Sequence, residues 1–431
     1  MKKITPITFS IFGFLVLSSL ILLTNACVKQ EASKIESPVN ALPTSSADAE
    51  ISAAQKLIEQ SPQTAKGYNL LAARYVRLAR ETGDFSINSN AETAVNRALE
   101  VEPENIDSKR IKASLLLTFH KFAEALEYGT KLQKENPRDA IVYGVLTDAN
   151  VELGNYPEAI EEAQKMVDTR PNMESYARVA AVRSLHGDAD GAIEAMSLAA
   201  RIADPKDREA QAWCYAHLGD EYFKIGKFAE AEKQYDTALK IFPDYHFGLA
   251  GKGRARAAVA DWENAIKFYT QAQTKVPTTL TVISLGDVYA KTGNAAKAKE
   301  QYDLAVFIEQ KLGNLDQRAL ALLWADQDIK LDEALAIAEK EHSNRKDVYT
   351  ADIYAWSLYK KGNLTEARKI SQEAMRLKTK NALFYYHAGM IEKGLGNNKA
   401  AKDLLQKALQ INPAFDTLQT EKAQSALAEL K

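Results

Sequence analysis

Residues 215–243, YAHLGDEYFKIGKFAEAEKQYDTALKIFP, carry large and small side chains at helical spacing. Leu218 and Tyr222 lie four residues apart and therefore share one helical face, on which Gly219 leaves room for a neighbouring backbone. A turn follows, and Pro243 ends a second helix because proline cannot continue one. The stretch therefore predicts a helical hairpin, in which small residues of one helix receive large residues of the other.

This pattern recurs along the chain with a period of about 34 residues. Each copy has bulky residues in the first helix and alanines in the second. Clear copies begin near Tyr143, Tyr176, Leu249, Leu285 and Tyr385. Weaker copies fill the intervals, with small residues such as Ala113, Ala334 and Ala355 at the matching offsets. Because the copies follow one another, they predict a continuous all-α array.

The series resembles the tetratricopeptide repeat family from about Asp48 to the C-terminus. The resemblance implies an α-solenoid, a right-handed superhelix of helix-turn-helix repeats in which each repeat contacts only its neighbours. It also implies that the first helices line a concave groove that binds other proteins or peptides. The ends of such an array need polar outer faces, and the helices Asp48–Gln60 and Thr417–Lys431 are the predicted caps.

We predict four parts along the chain. They are a lipoprotein-type signal peptide or membrane anchor at 1–27, a polar linker at 28–47, an N-terminal sub-array at 48–205 and a C-terminal sub-array with a capping helix at 206–431. The boundary at 205 rests on Asp204-Pro205, which breaks the helix and the repeat period between Ala203 and Ala210. This interruption predicts a flexible point between the two sub-arrays.

The composition argues against a nucleic-acid partner. The 431 residues are 46% hydrophobic and 26% charged, with a formal net charge of −2. A nucleic-acid-binding domain would carry a basic stripe, which this sequence lacks. A compact chain of this length would divide into several domains, whereas a stacked array needs no single large core. The composition thus agrees with one elongated array.

The N-terminus carries an export signal. Lys2 and Lys3 precede an uncharged run from Ile7 to Leu23, and Ala26 and Cys27 follow shortly after. A small residue directly before a cysteine, after a leucine-rich run, resembles the lipobox of bacterial lipoproteins. The resemblance implies cleavage before Cys27 and lipidation of Cys27.

The alternative is an uncleaved anchor, because the apolar run approaches the roughly 20 residues that span a bilayer. Both alternatives place the array on a membrane outside the cytoplasm, with the linker holding it off the surface. Val28, and not aspartate, follows the cysteine. In the lipoprotein family this favours the outer membrane or periplasm if the host is Gram-negative.

Residues with catalytic or metal-binding chemistry are not grouped in the sequence. The six histidines are scattered, without the pair four residues apart that a helix uses to hold zinc. Cys214 is expected to be a small buried hydrophobe. The many Asp and Glu residues follow helix surfaces as solvated charges. We therefore predict no enzyme activity, no catalytic residue, no cofactor and no metal site.

Three charged residues form a ladder along the predicted groove. Asp220, Arg254 and Asp287 each follow the small packing residue of successive first helices. They are either a polar clamp for a charged or extended ligand or ion pairs between repeats. Tetratricopeptide domains that bind chaperone C-termini use lysines and asparagines at these offsets, and none occurs here. A basic partner suits the Asp residues better than an acidic one.

Aromatic residues form a second group of candidates. Tyr349, Trp356 and Tyr386 project from the first helices of the last repeats. Aromatic rings in a groove can anchor a peptide or stack on a sugar. These three residues and the charged ladder are the predicted partner-binding positions.

The sequence as a whole predicts a non-catalytic, membrane-anchored scaffold. Its partner would be an unidentified protein or peptide in the concave groove, and its setting would be envelope assembly, secretion or polymer export. The alternative is a small-molecule or glycan-binding module that uses the C-terminal aromatic groove.

Overall fold

Helices account for all regular structure in residues 46–82, 84–311 and 316–430, the residues that the computed structural model describes. The first unit of the chain contains α1 (Ser46–Gln60), α2 (Ala65–Thr82), a 3₁₀ turn (Phe85–Ile87), α3 (Asn88–Val101) and the start of α4 (Ile106–Thr118). The helices that follow are α5 (Phe122–Glu135), α6 (Ala140–Glu152), α7 (Tyr156–Thr169), α8 (Met173–Leu185), α9 (Ala189–Ile202), α10 (Arg208–Lys224), α11 (Phe228–Ile241), α12 (His246–Ala258), α13 (Trp262–Lys275), α14 (Thr279–Lys291), α15 (Ala295–Lys311), α16 (Arg318–Asp326), α17 (Leu331–Asn344), α18 (Val348–Lys360), α19 (Leu364–Ala374), α20 (Ala382–Gly394), α21 (Asn398–Ile411) and α22 (Gln419–Glu429).

Successive helices pack as hairpins, as the repeat register predicts. From α6 onward each even-numbered helix packs against the odd-numbered helix that follows it, up to the pair α20 and α21. The alanines at the predicted small positions of the second helices are fully buried. They include Ala231, Ala238, Ala265, Ala272, Ala401 and Ala408. Buried alanines let paired helices approach closely, so the prediction of an all-α solenoid is confirmed.

A residue with positive φ and an N-capping side chain define the turns inside several of the hairpins. Gly226, between α10 and α11, has a φ of +74°, a left-handed conformation that glycine adopts without the steric cost of a Cβ atom. After the equivalent turns, Asp188 and Asp261 accept hydrogen bonds from the first backbone N–H groups of α9 and α13. Turn and cap together fix where each second helix begins.

The described chain divides into two compact units, with the boundary between Lys112 and Ala113. In the second unit, one core cluster includes Ala199 and Ala200 of α9 together with Cys214 and Leu218 of α10. The core therefore continues past the predicted flexible point. The sub-array boundary at 205, and the flexibility expected there, stay predictions.

Distant segments of the second unit contact each other. Among the hydrogen bonds that join segment 120–226 and segment 316–413, three are accepted by backbone carbonyls of the earlier segment. They run from the Lys346 N–H to the Glu152 carbonyl, from the Thr379 hydroxyl to the Leu185 carbonyl, and from the Asn412 side-chain amide to the Phe223 carbonyl. In each case the carbonyl lies at or near the end of a first helix. Segment 316–413 thus packs against a segment that lies much earlier in the sequence.

The predicted targeting segment, the lipidation site Cys27 and nearly all of the linker lie outside the described residues. Among the helices that the structure describes, none is both long enough and apolar enough to span a bilayer. The first described helix, α1, begins at Ser46, two residues before its predicted start.

Candidate functional site

The first helices of successive repeats form a shared surface. From α10 to α20, each first helix contacts the first helix of the next repeat, and α20 contacts the terminal helix α22. We call the surface of α10, α12, α14, α16, α18, α20 and α22 the first-helix face. All six predicted partner-binding residues belong to these helices.

Asp220 and Arg254 form an ion pair between neighbouring repeats. The Tyr235 hydroxyl donates to Asp220 Oδ1 at 2.8 Å and accepts from Arg254 Nη2 at 2.9 Å. Burial alone would raise the pKa of Asp220, but the Arg254 charge and the hydrogen bonds from His217 and Tyr235 hold that pKa well below its ordinary value. Of the two interpretations of the ladder, the structure therefore shows ion pairing at this position.

Asp287 repeats half of this arrangement. The Tyr302 hydroxyl donates to Asp287 Oδ1 at 2.8 Å, and the two residues are 15 apart, as are Asp220 and Tyr235. On the next first helix, Leu323 occupies the position equivalent to that of Arg254. Burial raises the pKa of Asp287 well above its ordinary value, and the nearby acids Asp416 and Asp326 raise it further. Asp287 thus has the tyrosine of the motif without the arginine.

Two further acidic residues, Asp326 and Asp416, lie near Asp287. Asp326 accepts a hydrogen bond from Trp356 Nε1 at 2.8 Å. Burial, with a contribution from Asp416, raises the pKa of Asp326 to about 7. The Asp416 carboxylate accepts from the backbone N–H groups of Leu418 and Gln419, at the start of α22. We call Asp287, Asp326 and Asp416 the acidic trio.

Lys422 lies near Asp287 and Asp326, but its ammonium group is directed elsewhere. Its Nζ donates to the backbone carbonyl of Asp326 at 3.3 Å. In the described part of the chain, none of the three acids lies within 4.0 Å of a Lys, Arg or His nitrogen in a salt bridge. The trio therefore places neighbouring carboxyl groups on the first-helix face without a lysine or arginine of the described chain paired to them.

A cavity opens beside Asp326. It has a volume of about 800 Å³ and lies between the end of α16, α20 and α22. Its walls include Met390 and Leu418, and its rim carries Lys393, which pairs with Glu429. The size is within the range of sites that hold a peptide side chain or a small ligand.

The expectation that Trp356 and Tyr386 present their rings to a groove is wrong. Each side chain is only 1% exposed. Trp356 stacks on the His387 ring with centroids 4.1 Å apart, and Tyr386 lies 5.5 Å from the same indole. The rings belong to the core beneath α22, because the short terminal helix covers them.

Tyr349 is half-buried and remains at the surface of the first-helix face. Its ring meets Phe384 edge-on, with centroids 5.2 Å apart. Burial raises the pKa of its hydroxyl. A binding role for Tyr349, and for Asp220, Arg254 and Asp287, stays a prediction.

Comparison with known families gives the same repeat units as the geometry. Tetratricopeptide repeat models match residues 112–174, 212–245 and 382–415. The last two matches coincide with the hairpins α10–α11 and α20–α21. The chain is a tetratricopeptide repeat protein. Repeats of this family generally mediate protein–protein interactions.

Relatives of this tetratricopeptide repeat protein are distant. It is 23% identical to a TPR repeat-containing protein of Methanocaldococcus jannaschii over 350 residues, which are 74% of this chain and 60% of that protein. It is 27% identical to the Hsp70-Hsp90 organizing protein of Triticum aestivum over 109 residues, 25% of this chain and 19% of that protein. The chain thus spans less than two thirds of the length of either relative.

Solved structures of similar fold include yeast Tom70. The Tom70 sequence is 15% identical to this chain. The aligned region covers 89% of this chain and 92% of the Tom70 chain, with a TM-score of 0.35. Tetratricopeptide repeat proteins are generally non-catalytic. In the described residues, no group of three or more His, Cys, Asp and Glu side chains is arranged to hold a metal ion.

Cys214 is fully buried, as the sequence predicts. Burial raises the pKa of its thiol, so the reactive thiolate is disfavoured. Two members of the acidic trio, Asp326 and Asp416, are not among the binding residues predicted from the sequence. The start signal of α22, an Asp followed by Gln419 three residues later, could have indicated Asp416. No pattern in the sequence singles out Asp326.

Proposed function

We propose that this protein is a membrane-anchored scaffold of the bacterial cell envelope, which binds a basic segment of a protein partner at the acidic trio. The scaffold has no catalytic role of its own in this proposal. It serves envelope assembly, secretion or polymer export by holding its partner near the membrane.

The missing cationic partner at Asp287 and Asp326 carries the binding part of the proposal, because a cation brought by a partner would lower the raised pKa of both carboxyl groups and pair with their ionised forms. In two other pairs of successive first helices, an acid pairs with an arginine of the next repeat. Arg178 Nη2 lies 2.6 Å from Asp148 Oδ2, and Arg254 pairs with Asp220. At Asp287 the chain supplies no such arginine, and a lysine or arginine of a partner can take its place. The cavity beside Asp326 offers space for that side chain.

The N-terminal sequence supports the anchoring part. An uncharged run that ends in Ala26-Cys27, followed by a Pro- and Ser-containing linker, suits a lipidated protein whose folded array stands off the membrane. The alternative of a glycan site at Trp356 and Tyr386 gains no support, because both rings are buried.

Binding is tested with the double variant Asp287→Asn/Asp326→Asn. Asparagine keeps an oxygen that can accept from Tyr302 and Trp356, so the local hydrogen bonds survive while the charge is removed. We expect the variant to lose at least tenfold in affinity for a fluorescent hexa-arginine peptide at low salt. Wild-type binding should weaken as the pH falls below about 7, because Asp326 then takes up a proton.

The matched control is Asp303→Asn on α15, where the carboxylate is exposed and pairs with Lys299. Equal peptide affinity in the wild type and the double variant would contradict the binding site. Anchoring is tested separately by Cys27→Ser, which should move the protein from the membrane fraction to the soluble fraction. Retention of Cys27→Ser in the membrane would favour the uncleaved anchor and leave the binding result intact.

A further inference from the structure

A buried ionic cluster lies where segment 316–413 meets segment 120–226. Arg345, which is 2% exposed, is at its centre. Its Nη1 lies 3.3 Å from Glu152 Oε2 in the earlier segment and 3.5 Å from Asp316 Oδ2 in its own segment. Its Nη2 lies 3.1 Å from His120 Nδ1, also in the earlier segment. We call this group the Arg345 cluster.

The remaining members of the Arg345 cluster lie in segment 316–413. Arg318 Nη2 lies 2.7 Å from Asp316 Oδ2, and Arg318 Nη1 lies 3.6 Å from Asp347 Oδ2. Glu341 Oε2 lies 3.5 Å from Arg345 Nε, one helical turn away. Every one of these side chains is less than one tenth exposed.

The charges in the cluster do not balance. Four buried carboxyl groups, those of Glu152, Asp316, Glu341 and Asp347, face two guanidinium groups, those of Arg318 and Arg345. Excess charge is costly in a buried site, and the usual response is to bind a proton. Burial raises the pKa of Glu152 to about 7, and it raises the pKa of Glu341 above its ordinary value.

Glu152 holds the two segments together in a second way. Its backbone carbonyl accepts from the Lys346 N–H at 3.0 Å. Two residues further on, the Val348 N–H donates to the Tyr156 hydroxyl at 2.9 Å. Glu152 therefore supplies both the buried carboxyl group and one backbone contact between the segments, and the second contact lies a few residues away at Tyr156 and Val348.

We propose that the Arg345 cluster is a proton-sensitive latch, in which protonation of Glu152 closes the contact between segment 120–226 and segment 316–413. When the contact opens, Glu152 reaches water and behaves as an ordinary glutamate. The closed state binds the proton more tightly, so closure is strongest below about pH 4.5 and is lost as the pH rises through about 7.

Other groups near Glu152 modify this response. They are Arg345, Asp347, Arg318, Asp316, Tyr156, Glu341, His120 and, over the Tyr156 ring, Arg376. His120 Nδ1 accepts from Arg345, so a proton on that nitrogen would oppose closure. The two arginines favour the ionised form of Glu152, and the other carboxylates favour the protonated form.

The latch is tested by hydrogen exchange of the Lys346 and Val348 amides in the full chain, at pH 6 and pH 8. Rates are divided by those of the unstructured chain at each pH. A single proton bound with a pKa near 7 when closed and near 4.5 when open gives about tenfold greater protection at pH 6. Amides of α13, far from the cluster in the chain, serve as the internal reference.

Glu152→Gln should show equal protection at both pH values, at the level of the wild type at pH 6. Glu339→Gln is the matched control, because it removes an exposed carboxylate of α17 that does not belong to the cluster, and it should keep the tenfold difference. Equal wild-type protection at the two pH values would overturn the proposal, whatever the variants do. So would a pH dependence that survives in Glu152→Gln or disappears in Glu339→Gln.

Discussion

At the scale of single residues, the glycines of the repeat determine where the large residues go. A Cβ atom on Gly219 or on Gly251 would lie 2.4 Å from Tyr235 Cε1, closer than any real contact. The Tyr235 ring is thus held between two first helices with no exposed surface. That placement brings its hydroxyl to both Asp220 and Arg254. The sequence register correctly assigned Gly219 to packing, and the structure adds Gly251 from the next repeat.

Gly251→Ala is expected to destabilise the protein relative to Gly248→Ala. Both substitutions gain similar helix propensity, but the new methyl group at 251 collides with a ring that hydrogen bonds fix in place. At 248 it lies 3.1 Å from the flexible Leu239 side chain and 3.6 Å from the Tyr235 carbonyl oxygen, so no atom need move far. The difference in unfolding free energy should be about 1–3 kcal/mol, measured by urea denaturation. Equal midpoints for the two variants would show that the Tyr235 ring can move aside.

At the scale of elements, the terminal helix α22 completes the last repeat. Ala423 and Ala426 pack in one cluster with Leu405 and Ala408 of α21 and with Tyr386. The opposite side of α22 is exposed and polar, as the prediction of a capping helix requires. This helix also explains the error over the aromatic groove, since the repeat register places Tyr386 on a first helix without showing what covers it.

Ala423→Asp is expected to detach α22. The residue is fully buried, so the substitution places a carboxylate in an apolar contact and should cost about 2–4 kcal/mol. Hydrogen exchange should accelerate in α20, α21 and α22 and stay unchanged in α12 and α13. Ala428→Asp, at an exposed position of the same helix, is the control. Unaltered exchange in α21 of Ala423→Asp would mean that α22 is not a cap.

At the scale of the whole molecule, contacts between distant segments add to the contacts between neighbouring repeats. A simple solenoid has only nearest-neighbour contacts, and its stability is a sum over repeats. Within residues 113–430, the Glu152–Lys346, Leu185–Thr379 and Phe223–Asn412 contacts add long-range terms. We expect these contacts to respond together, because they lie along one boundary between the same two segments.

Asn412→Ala tests that cooperation. The Asn412 side chain is 2% exposed, donates to the Phe223 carbonyl at 2.8 Å and accepts from the Ala414 N–H at 2.9 Å, so its loss removes both hydrogen bonds. The cost should be about 1–3 kcal/mol. Exchange of the Lys346 amide, at the other end of the boundary, should also accelerate. Asn344→Ala, at an exposed position, should change neither quantity. Acceleration confined to residues next to Asn412 would show that the contacts act independently.

The sequence by itself determined the helical hairpins, their order and the buried small residues. These follow from local spacing, because residues three and four apart on a helix share a face and a 34-residue period repeats that face. Only the tertiary structure decided which charges are paired, which aromatic rings are covered and which distant segments meet. Arg345 and Glu152 are 193 residues apart, and their contact depends on small rotations added over every intervening repeat. No local pattern records that sum, so the Arg345 cluster and the acidic trio emerge only when the chain is folded.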